Sequence, residues 1–298
     1  MKPSVSVLTW LNRCFPQQKH PFNMENDGSK TYAQWQYEKG RDTIAFYLER
    51  YAAKEMFCGK TVLDMGCGAA GKSLYYASLG AKQVTGVDVV PSYQEEAEAL
   101  AKQLGFADRF TFLLGDAACL PLPDGSIDTI LMNDFMEHVA QPEKALAEAM
   151  RVLTEKGRIY INFPPYYHPF GAHLSDVIGI PWVHLLFSEH TLTQAYRTLT
   201  ADKPDGAQRV AFRISQDRQG NDYFSYINHM TIKRFGRMLN SLHITPAYYK
   251  EVPLRRFLKP LAQFPPTREC FVKMVVCVLE KQPLSAAAEP NKKLLPHV

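Results

Sequence analysis

Five short apolar runs, each followed by a turn or a helical pattern, constrain the fold of this chain most strongly. They begin with TVLDM at Thr61 and continue as QVTGV, FTFLL, TILMN and RIYINF. Strands that are apolar along their whole length are typical of sheets buried on both faces. Because strands and helices alternate through about residue 163, the sequence predicts an α/β fold with a parallel, doubly wound sheet and a ligand at the carboxyl ends of its strands.

The segments between these runs carry their own helix signals. Ser92 and Glu95 form the S-x-x-E pattern of a capping box, Gly105 closes that helix, and Pro142 marks the first turn of another. Before the first strand, helical spacing predicts one long amphipathic helix whose apolar positions are Ile44, Tyr47, Leu48 and Tyr51.

The turn after the first strand, VLDMGCGAAGKS, matches two glycine patterns at once. The phosphate loop G-x-x-x-x-G-K-[ST] is satisfied from Gly66 to Ser73, and the dinucleotide pattern G-x-G-x-x-G from Gly66 to Gly71. Asp64, two residues before the first glycine, indicates a third class of ligand. The glycines alone therefore leave the ligand open.

The charge of Asp64 separates these possibilities. At the end of a strand its carboxylate would face the ligand, where a phosphate would cost about 4 kcal/mol per charge pair. S-adenosylmethionine has no phosphate and carries an ammonium and a sulfonium, which suit an acidic residue. A phosphate loop stays an alternative, because ILMND ends in Asp134, a possible magnesium-binding carboxylate.

Two further acids follow the next two strands. Asp88 ends GVDVV and is placed to accept hydrogen bonds from ribose hydroxyls, which also suits NAD. Asp116 follows the third strand, where the NAD pattern asks for no acid. An NAD-type oxidoreductase and a non-catalytic sensor of S-adenosylmethionine stay open as alternatives to a transferase.

These residues together resemble the class I S-adenosylmethionine-dependent methyltransferases, specifically the small-molecule group called methyltransferase type 11. The resemblance covers about residues 40–163 and, more loosely, 231–281. It implies a Rossmann-like sheet of seven mostly parallel strands with the last one antiparallel, and S-adenosyl-L-methionine as the cofactor. The motifs that carry it are Asp64-x-Gly66-x-Gly68-x-x-Gly71, Asp88, Gly115-Asp116-Ala117 and NDFMEHV at residues 133–139.

The same resemblance assigns contacts to the cofactor. It implies that Asp64 helps to hold the methionine end, Asp88 both ribose hydroxyls and Asp116 the adenine amine, while the glycines let the backbone approach closely. The predicted cofactor-binding residues are Asp64, Gly66, Cys67, Gly68, Gly71, Asp88, Val89, Asp116, Ala117, Asn133 and Asp134.

Residues 164–229 interrupt the alternation with prolines, histidines and aromatic residues, which predicts an inserted substrate cap after the fifth strand. Aromatic side chains there suit a flat or apolar acceptor, although they could equally form the core of the cap itself. The predicted pocket residues are Tyr166, Tyr167, Trp182 and His184. His168 and His173 are candidate general bases, needed only if the acceptor must lose a proton. Four histidines between residues 168 and 190, with Asp176 and Glu189 nearby, could also form a metal site. Their spacings match no metal-ligand motif, so no metal is predicted, and the metal site stays an alternative.

The chain is therefore predicted to have five parts. In order they are an N-terminal helical segment (1–55), the Rossmann-like cofactor-binding core (56–163), the cap (164–229), the C-terminal part of the core (230–281) and a disordered tail (282–298). The C-terminal part holds a helix that begins at Thr231 and two strands, ITPAYYKEV and CFVKMVVCVLE.

The composition of the chain indicates which classes of binding partner and which cellular compartment to expect. The net charge of +4, from 34 basic and 30 acidic residues, is too mild to favour nucleic acid or an anionic membrane. The chain has no run of about 18 apolar residues that could span a membrane, and its first residues, including SVSVLTWL, do not predict a signal peptide. Its six cysteines lack disulfide or zinc spacing, which favours reduced thiols and a cytoplasmic location. We expect methyl transfer to a small, apolar or aromatic metabolite, while the oligomeric state stays open.

Overall fold

The computed structural model describes residues 2–16 and 30–281, so the predicted tail at 282–298 lies outside the described residues. The chain forms two compact units. The first, here called the sheet unit, comprises Thr31–Phe163, Ile232–Val252 and Met274–Val298. The second, the insert unit, comprises Met1–Lys30, Pro164–Thr231 and Pro253–Lys273.

The strands define the sheet unit. In chain order they are β1 (Thr61–Met65), β2 (Gln83–Asp88), β3 (Phe110–Leu114), β4 (Ile127–Asn133), β5 (Leu153–Phe163), β6 (Ile214–Gln216), β7 (Asp222–Phe224), β8 (Tyr248–Pro253) and β9 (Val272–Glu280). Seven of them form one sheet in the order β3-β2-β1-β4-β5-β9-β8, and β6 pairs with β7 separately in the insert unit. Strands β1 to β5 pair in parallel and β9 is antiparallel to β5, which confirms the predicted doubly wound sheet.

The helices separate the strands as predicted. They are α1 (Pro3–Asn12), α2 (Tyr32–Ile44), α3 (Ala53–Phe57), α4 (Gly71–Ser78), α5 (Ser92–Gln103), α6 (Pro142–Val152), α7 (Val183–Leu186), α8 (Glu189–Thr200), α9 (Gly206–Arg213), α10 (Ile232–Ser241), α11 (Lys259–Gln263) and α12 (Arg268–Phe271), with short 3-10 turns at Ala107–Arg109 and Arg256–Leu258. No helix in the described ranges is both long and apolar enough to cross a membrane.

Two local predictions about helices were wrong. The predicted helix through residues 44–51 is instead α2, which ends at Ile44 and continues into turns that bury Tyr47. Ser92 is the first residue of α5, and no side chain caps that helix. The capping box is at Thr31, whose hydroxyl accepts from Gln34 N while the Gln34 side chain accepts from Thr31 N, each at 3.2 Å.

Strand order places a crevice at one edge of the sheet. Strand β1 lies between β2 and β4, so the connections leaving β1 and β3 run in opposite directions across the sheet. Ligands of doubly wound folds bind outside the carboxyl ends of the strands at such a switch point. The turns after β1, β2, β3 and β4 all lie at this edge, because the four strands are parallel.

The insert unit has its own hydrophobic core, which includes Leu8, Val177 and Tyr196. Helix α1 is tied to it by Asn12, whose side-chain amide donates to Val177 O at 2.7 Å and accepts from Gly179 N at 2.8 Å. Both groups are buried, so the amide satisfies two backbone positions that water cannot reach.

A buried charge cluster lies in the same unit. Asp176 accepts from the guanidinium of Arg209 at 3.2 Å and from the Tyr196 hydroxyl at 2.8 Å, and its second oxygen lies 3.2 Å from Arg213 Nη2. Asp205 pairs with Arg209 from the other side at 2.7 Å. Two cations are therefore balanced by two carboxylates, as buried charges require.

Candidate active site

The glycine-rich turn after β1 is held in left-handed backbone conformations. Gly66 has φ 74° and Gly68 has φ 56°, which side chains with a Cβ rarely adopt. At Gly66 a Cβ would also lie 2.5 Å from the ring of Phe135. The turn is anchored to β2, since Gly66 N and Cys67 N both donate to Val87 O, at 2.8 and 3.1 Å.

Asp64 lies at the base of this turn, on the penultimate residue of β1. It is buried and accepts a 2.6 Å hydrogen bond from the Ser73 hydroxyl at the start of α4. Burial raises the pKa of Asp64 to about 6, against the smaller opposing effects of Ser73 and Lys72. The carboxylate is thus ionised at neutral pH but incompletely neutralised by the protein, and it would gain from a nearby cation.

Asp88 bridges the turn to the end of β2. One carboxylate oxygen accepts from Gly68 N at 2.8 Å and the other from Val90 N at 3.0 Å. Burial raises its pKa, although these backbone hydrogen bonds oppose the shift. The next residue, Val89, is 65% exposed, so Asp88 lies at the rim of the crevice with its remaining lone pairs available to hydroxyl donors.

The turn after β3 lies beside that of β2. Gly115 N donates to Asp88 O at 3.0 Å, and nothing lies within 4 Å of where a Cβ at Gly115 would be. Asp116 is exposed and accepts from Ala118 N at 2.8 Å, while Ala117 is buried. The structure therefore brings Asp64, Asp88 and Asp116 to the ends of three neighbouring strands.

Gly71 serves helix packing as well as the turn. A Cβ there would lie 2.0 Å from Ala33 O and 2.5 Å from Tyr37 N, so its absence lets α2 lie directly on the turn. Buried Gln36 completes the contact by accepting from Gly71 N at 3.1 Å and donating to Cys67 O at 3.3 Å. Sequence reasoning missed Gln36, although the capping box at Thr31 marks the start of its helix.

Lys72 and Ser73 completed the phosphate-loop pattern, and both have partners within the protein. Lys72 Nζ lies 3.0 Å from Asp134 Oδ2, and Ser73 binds Asp64. Burial lowers the pKa of Lys72, but the nearby carboxylates of Asp134, Asp64 and Glu137 together outweigh that effect and the net shift is upward. Lys72, the cation of the phosphate-loop pattern, is thus already paired with Asp134. A phosphate bound at this turn would instead lie near the carboxylates of Asp64, Asp88 and Asp116.

Asn133 belongs to a buried amide and phenol network. Its side-chain oxygen accepts from Tyr47 OH and from Asn162 Nδ2, both at 2.6 Å, and its amide donates to Tyr76 OH at 3.0 Å. The network fixes the carboxyl end of β4, where Asp134 adopts φ 50° and donates its N–H to Asn162 O at 3.0 Å. All the polar atoms of the Asn133 side chain are hydrogen-bonded within this network. Asn133 therefore supports the carboxyl-end edge of the sheet from inside the core.

The predicted pocket residues lie in the insert unit around Tyr166. The Tyr166 ring centroid lies 4.9 Å from that of His184, 4.3 Å from that of His229 and 5.4 Å from that of Tyr167. Trp182 packs against Phe271 at 5.9 Å, and its buried indole N–H has no acceptor among the residues that the structure describes.

The two candidate bases differ in their surroundings. Burial, assisted by Lys273 and His184, lowers the pKa of His168 to about 4, and its Nδ1 accepts from Phe170 N at 3.2 Å. His173 adopts φ 53°, and its carbonyl accepts from Tyr226 OH at 3.2 Å. Burial likewise lowers the pKa of His184 to about 4. His168 and His184 are therefore neutral at physiological pH.

Comparison with known proteins finds matches to the central part of the sheet unit. Residues 63–161 match a family model described as a methyltransferase domain. The chain is 35% identical over 102 residues to a probable tocopherol O-methyltransferase of Oryza sativa, covering 34% of this chain and 28% of the relative. It is 34% identical over 102 residues to norajmaline N-methyltransferase of Rauvolfia serpentina, covering 34% and 35%.

The chain thus matches about a third of the length of these curated relatives. Among solved structures, the PH0226 protein of Pyrococcus horikoshii aligns with a TM-score of 0.52 at 16% identity, covering 89% of this chain and 100% of that one. Geranyl diphosphate methyltransferase aligns with a TM-score of 0.50 at 13% identity, covering 83% and 85%. The structural likeness supports the fold, and the sequence match supports the motifs. The part of the chain from residue 63 to residue 161 is a class I S-adenosylmethionine-dependent methyltransferase domain.

Proposed function

We propose that the protein transfers a methyl group from S-adenosylmethionine to a small, apolar or aromatic acceptor. The observation that carries this proposal is the set of carboxylates at the switch point, Asp64, Asp88 and Asp116, around a glycine turn whose own lysine is already paired. This donor set suits a cationic nucleoside and disfavours the phosphates of NAD or a nucleoside triphosphate.

The residues present fit this cofactor. Asp64 would face its positive methionine end, Asp88 would accept from its ribose hydroxyls, and Asp116 would accept from its adenine amine. The backbone from Gly66 to Gly68 and the neighbouring residues Val89 and Ala117 would line the nucleoside. When bound, the cofactor supplies a methyl group on a sulfonium that is already a good leaving group.

The acceptor side is proposed for residues 164–229, which leave the carboxyl end of β5. Tyr166, Tyr167 and His184 offer aromatic surface without a charged imidazole at neutral pH, which suits an uncharged aromatic acceptor. The buried indole N–H of Trp182 fits an acceptor molecule that carries an oxygen. The names of the tocopherol and norajmaline relatives agree with such an acceptor.

Catalysis by these residues would depend mainly on positioning. Holding a nucleophile close to the methyl group in a dry site removes most of the entropic barrier to a displacement. A histidine whose pKa is about 4 is a weak base, so His168 would orient a hydroxyl better than it would deprotonate one. His173 stays the second candidate for a base.

Calorimetry and product analysis test the proposal together. The protein should bind S-adenosylmethionine at micromolar concentration and NADH not at all, and labelled cofactor should transfer its label to a small molecule in a metabolite extract. Tight NADH binding would refute the proposal in favour of an oxidoreductase. Cofactor binding with persistent absence of labelled product would favour a sensor instead.

Two variants test the acceptor side once a substrate is known. His168→Ala and His173→Ala should each lower turnover while leaving cofactor affinity unchanged, because neither is proposed to contact the nucleoside. If both variants keep full turnover, neither histidine is a catalytic residue.

We also propose that the protein works in a reducing compartment, the cytoplasm. All six of its cysteines are free thiols, and Cys14, Cys58 and Cys119 are exposed, which would favour oxidation in an extracellular setting. A small molecule rather than nucleic acid as the partner stays a prediction from the even charge balance.

A further inference from the structure

The segment that connects β8 to β9 forms a loop whose two ends lie close together. The chain leaves β8 at Pro253 and enters β9 at Val272, and the base of the loop is closed by a 2.9 Å hydrogen bond from Leu254 N to Phe271 O. The loop contains the 3-10 turn Arg256–Leu258 and helices α11 and α12. We call residues 254–271 the docking loop.

The docking loop exposes large apolar side chains. Phe257 is 78% exposed, Phe264 56% and Leu261 38%, whereas Ala262 of the same helix is buried. Thr267 pins the turn after α11, because its hydroxyl donates to Leu261 O at 2.8 Å and its N–H donates to Phe264 O at 3.0 Å. The exposure of two phenyl rings and a leucine within one short loop indicates an interaction surface.

The charge around these side chains is mainly positive. The docking loop contains Arg255, Arg256, Lys259 and Arg268 against a single acid, Glu269. Arg255, Arg256 and Lys259 are exposed, and no acidic side chain in the described part of the chain pairs with them. The mild net charge of the whole chain conceals this local concentration.

We propose that the docking loop binds the surface of an anionic lipid bilayer. Exposed phenylalanine and leucine among cations match an interface whose headgroups are negative and whose interior is apolar. Complementary charge selects such a surface over a neutral one, while the apolar side chains favour a bilayer over a purely polyanionic partner such as nucleic acid. This proposal concerns binding alone and does not depend on methyl transfer.

The loop is also joined to the proposed acceptor side. Phe271, at its base, contacts Trp182 with 5.9 Å between ring centroids. The insert unit would then both attach the protein to the bilayer surface and contain the residues proposed to bind an apolar acceptor dissolved in that bilayer.

Vesicle sedimentation with the full-length protein tests this proposal. The protein should sediment with vesicles of phosphatidylcholine mixed with phosphatidylglycerol, sediment poorly with phosphatidylcholine alone, and be released by salt. The double variant Phe257→Ser with Phe264→Ser should lower the partition constant about tenfold or more. The triple variant Arg255→Gln, Arg256→Gln, Lys259→Gln should lower it about fivefold per cation removed.

Matched controls remove equal numbers of charges elsewhere. The triple variant Lys54→Gln, Lys102→Gln, Lys156→Gln changes three exposed lysines of the sheet unit, and Leu48→Ser removes an exposed apolar side chain there. Both should keep full vesicle binding. Circular dichroism and cofactor binding show that every variant is folded, and Phe257→Trp should be quenched by brominated lipid if the side chain enters the bilayer.

Three results would overturn the proposal. The first is that the native protein does not sediment with phosphatidylglycerol vesicles. The second is that the loop variants and the control variants bind vesicles equally. The third is that the loop variants abolish self-association in sedimentation equilibrium, or binding to an oligonucleotide, while lipid binding stays unchanged.

Discussion

The sheet unit and the insert unit handle buried polar groups in opposite ways. In the sheet unit, Asp64 and Asp88 remain at the edge of the crevice with raised pKa values and only partial compensation by the protein. In the insert unit, Asp176 forms ion pairs with two arginines, and the imidazoles of His168 and His184 are neutral. The carboxylates of the proposed ligand site thus have raised pKa values, whereas the buried carboxylate of the insert unit is balanced by cations within the fold.

The largest expected effect is a loss of stability when the ion pairs of Asp176 in the insert unit are removed. Asp176→Ala should lower the free energy of unfolding by about 3 to 5 kcal/mol, because it removes the carboxylate that pairs with buried Arg213 and leaves Arg209 with Asp205 as its one remaining carboxylate of this cluster. Urea unfolding measures the change. Asp202→Ala, at an exposed position nearby, is the control and should change stability by less than about 0.5 kcal/mol. A loss below 1 kcal/mol for Asp176→Ala would contradict the structural role of the cluster.

The next largest effect tests whether α2 of the sheet unit packs directly on the glycine turn at Gly71. Gly71→Ala should destabilise the protein by about 3 kcal/mol, since the new Cβ meets backbone atoms of α2 that cannot rotate away. Gly236→Ala is the matched control, because its Cβ would enter open space within α10 and should stabilise the helix by about 0.5 to 1 kcal/mol. Equal thermal midpoints for the two variants would show that α2 does not rest on the turn in solution.

The ligand half of the contrast is tested at Asp88. Asp88→Ala should weaken S-adenosylmethionine binding by about 1 to 3 kcal/mol in calorimetry, through the loss of charge-assisted hydrogen bonds to the ribose. Asp108→Ala, at an exposed acid of the same unit, should bind the cofactor normally. Unchanged affinity in Asp88→Ala would remove this residue from the site.

The smallest effect concerns the cost of keeping Asp64 charged. Its pKa is higher in the folded than in the unfolded protein, so the ionised carboxylate destabilises the fold above about pH 6, and this penalty disappears as the pH falls toward 4. Asp64→Asn should therefore stabilise the free protein by about 1 kcal/mol at pH 8, with less benefit at pH 4, and weaken cofactor binding.

Chemical unfolding at both pH values and calorimetry check this prediction. Asp108→Asn serves as the control, with no change in either measurement. An Asp64→Asn variant that is less stable at pH 8 would show that the ionised carboxylate does not destabilise the free protein. A variant that binds the cofactor as tightly as the native protein would show that the carboxylate does not contribute to cofactor binding.

The two units also differ in how much the sequence could predict. Asp64 and Asp88 were located at strand ends because continuous apolar runs define both the strands and their last residues. The structure confirms this sheet and places both acids at the switch point. Their contacts to the cofactor stay predictions.

Sequence patterns failed where distant segments meet. Gly71 fits every glycine pattern, yet its missing side chain makes room for Ala33 and Tyr37 of α2, which no local motif reveals. In the insert unit, the pairing of Asp176 with Arg209 joins residues 33 positions apart and has no periodic signal. The positive charge of the docking loop was hidden because net charge was counted over the whole chain.

The hydrogen bond that closes the docking loop makes it a self-contained module. Since its two ends meet at Leu254 and Phe271, residues between them can be exchanged, shortened or replaced by a simple turn while strands β8 and β9 keep their entry and exit points. We therefore expect that exchanging this loop would change the proposed attachment to a bilayer and leave the proposed cofactor site unaltered.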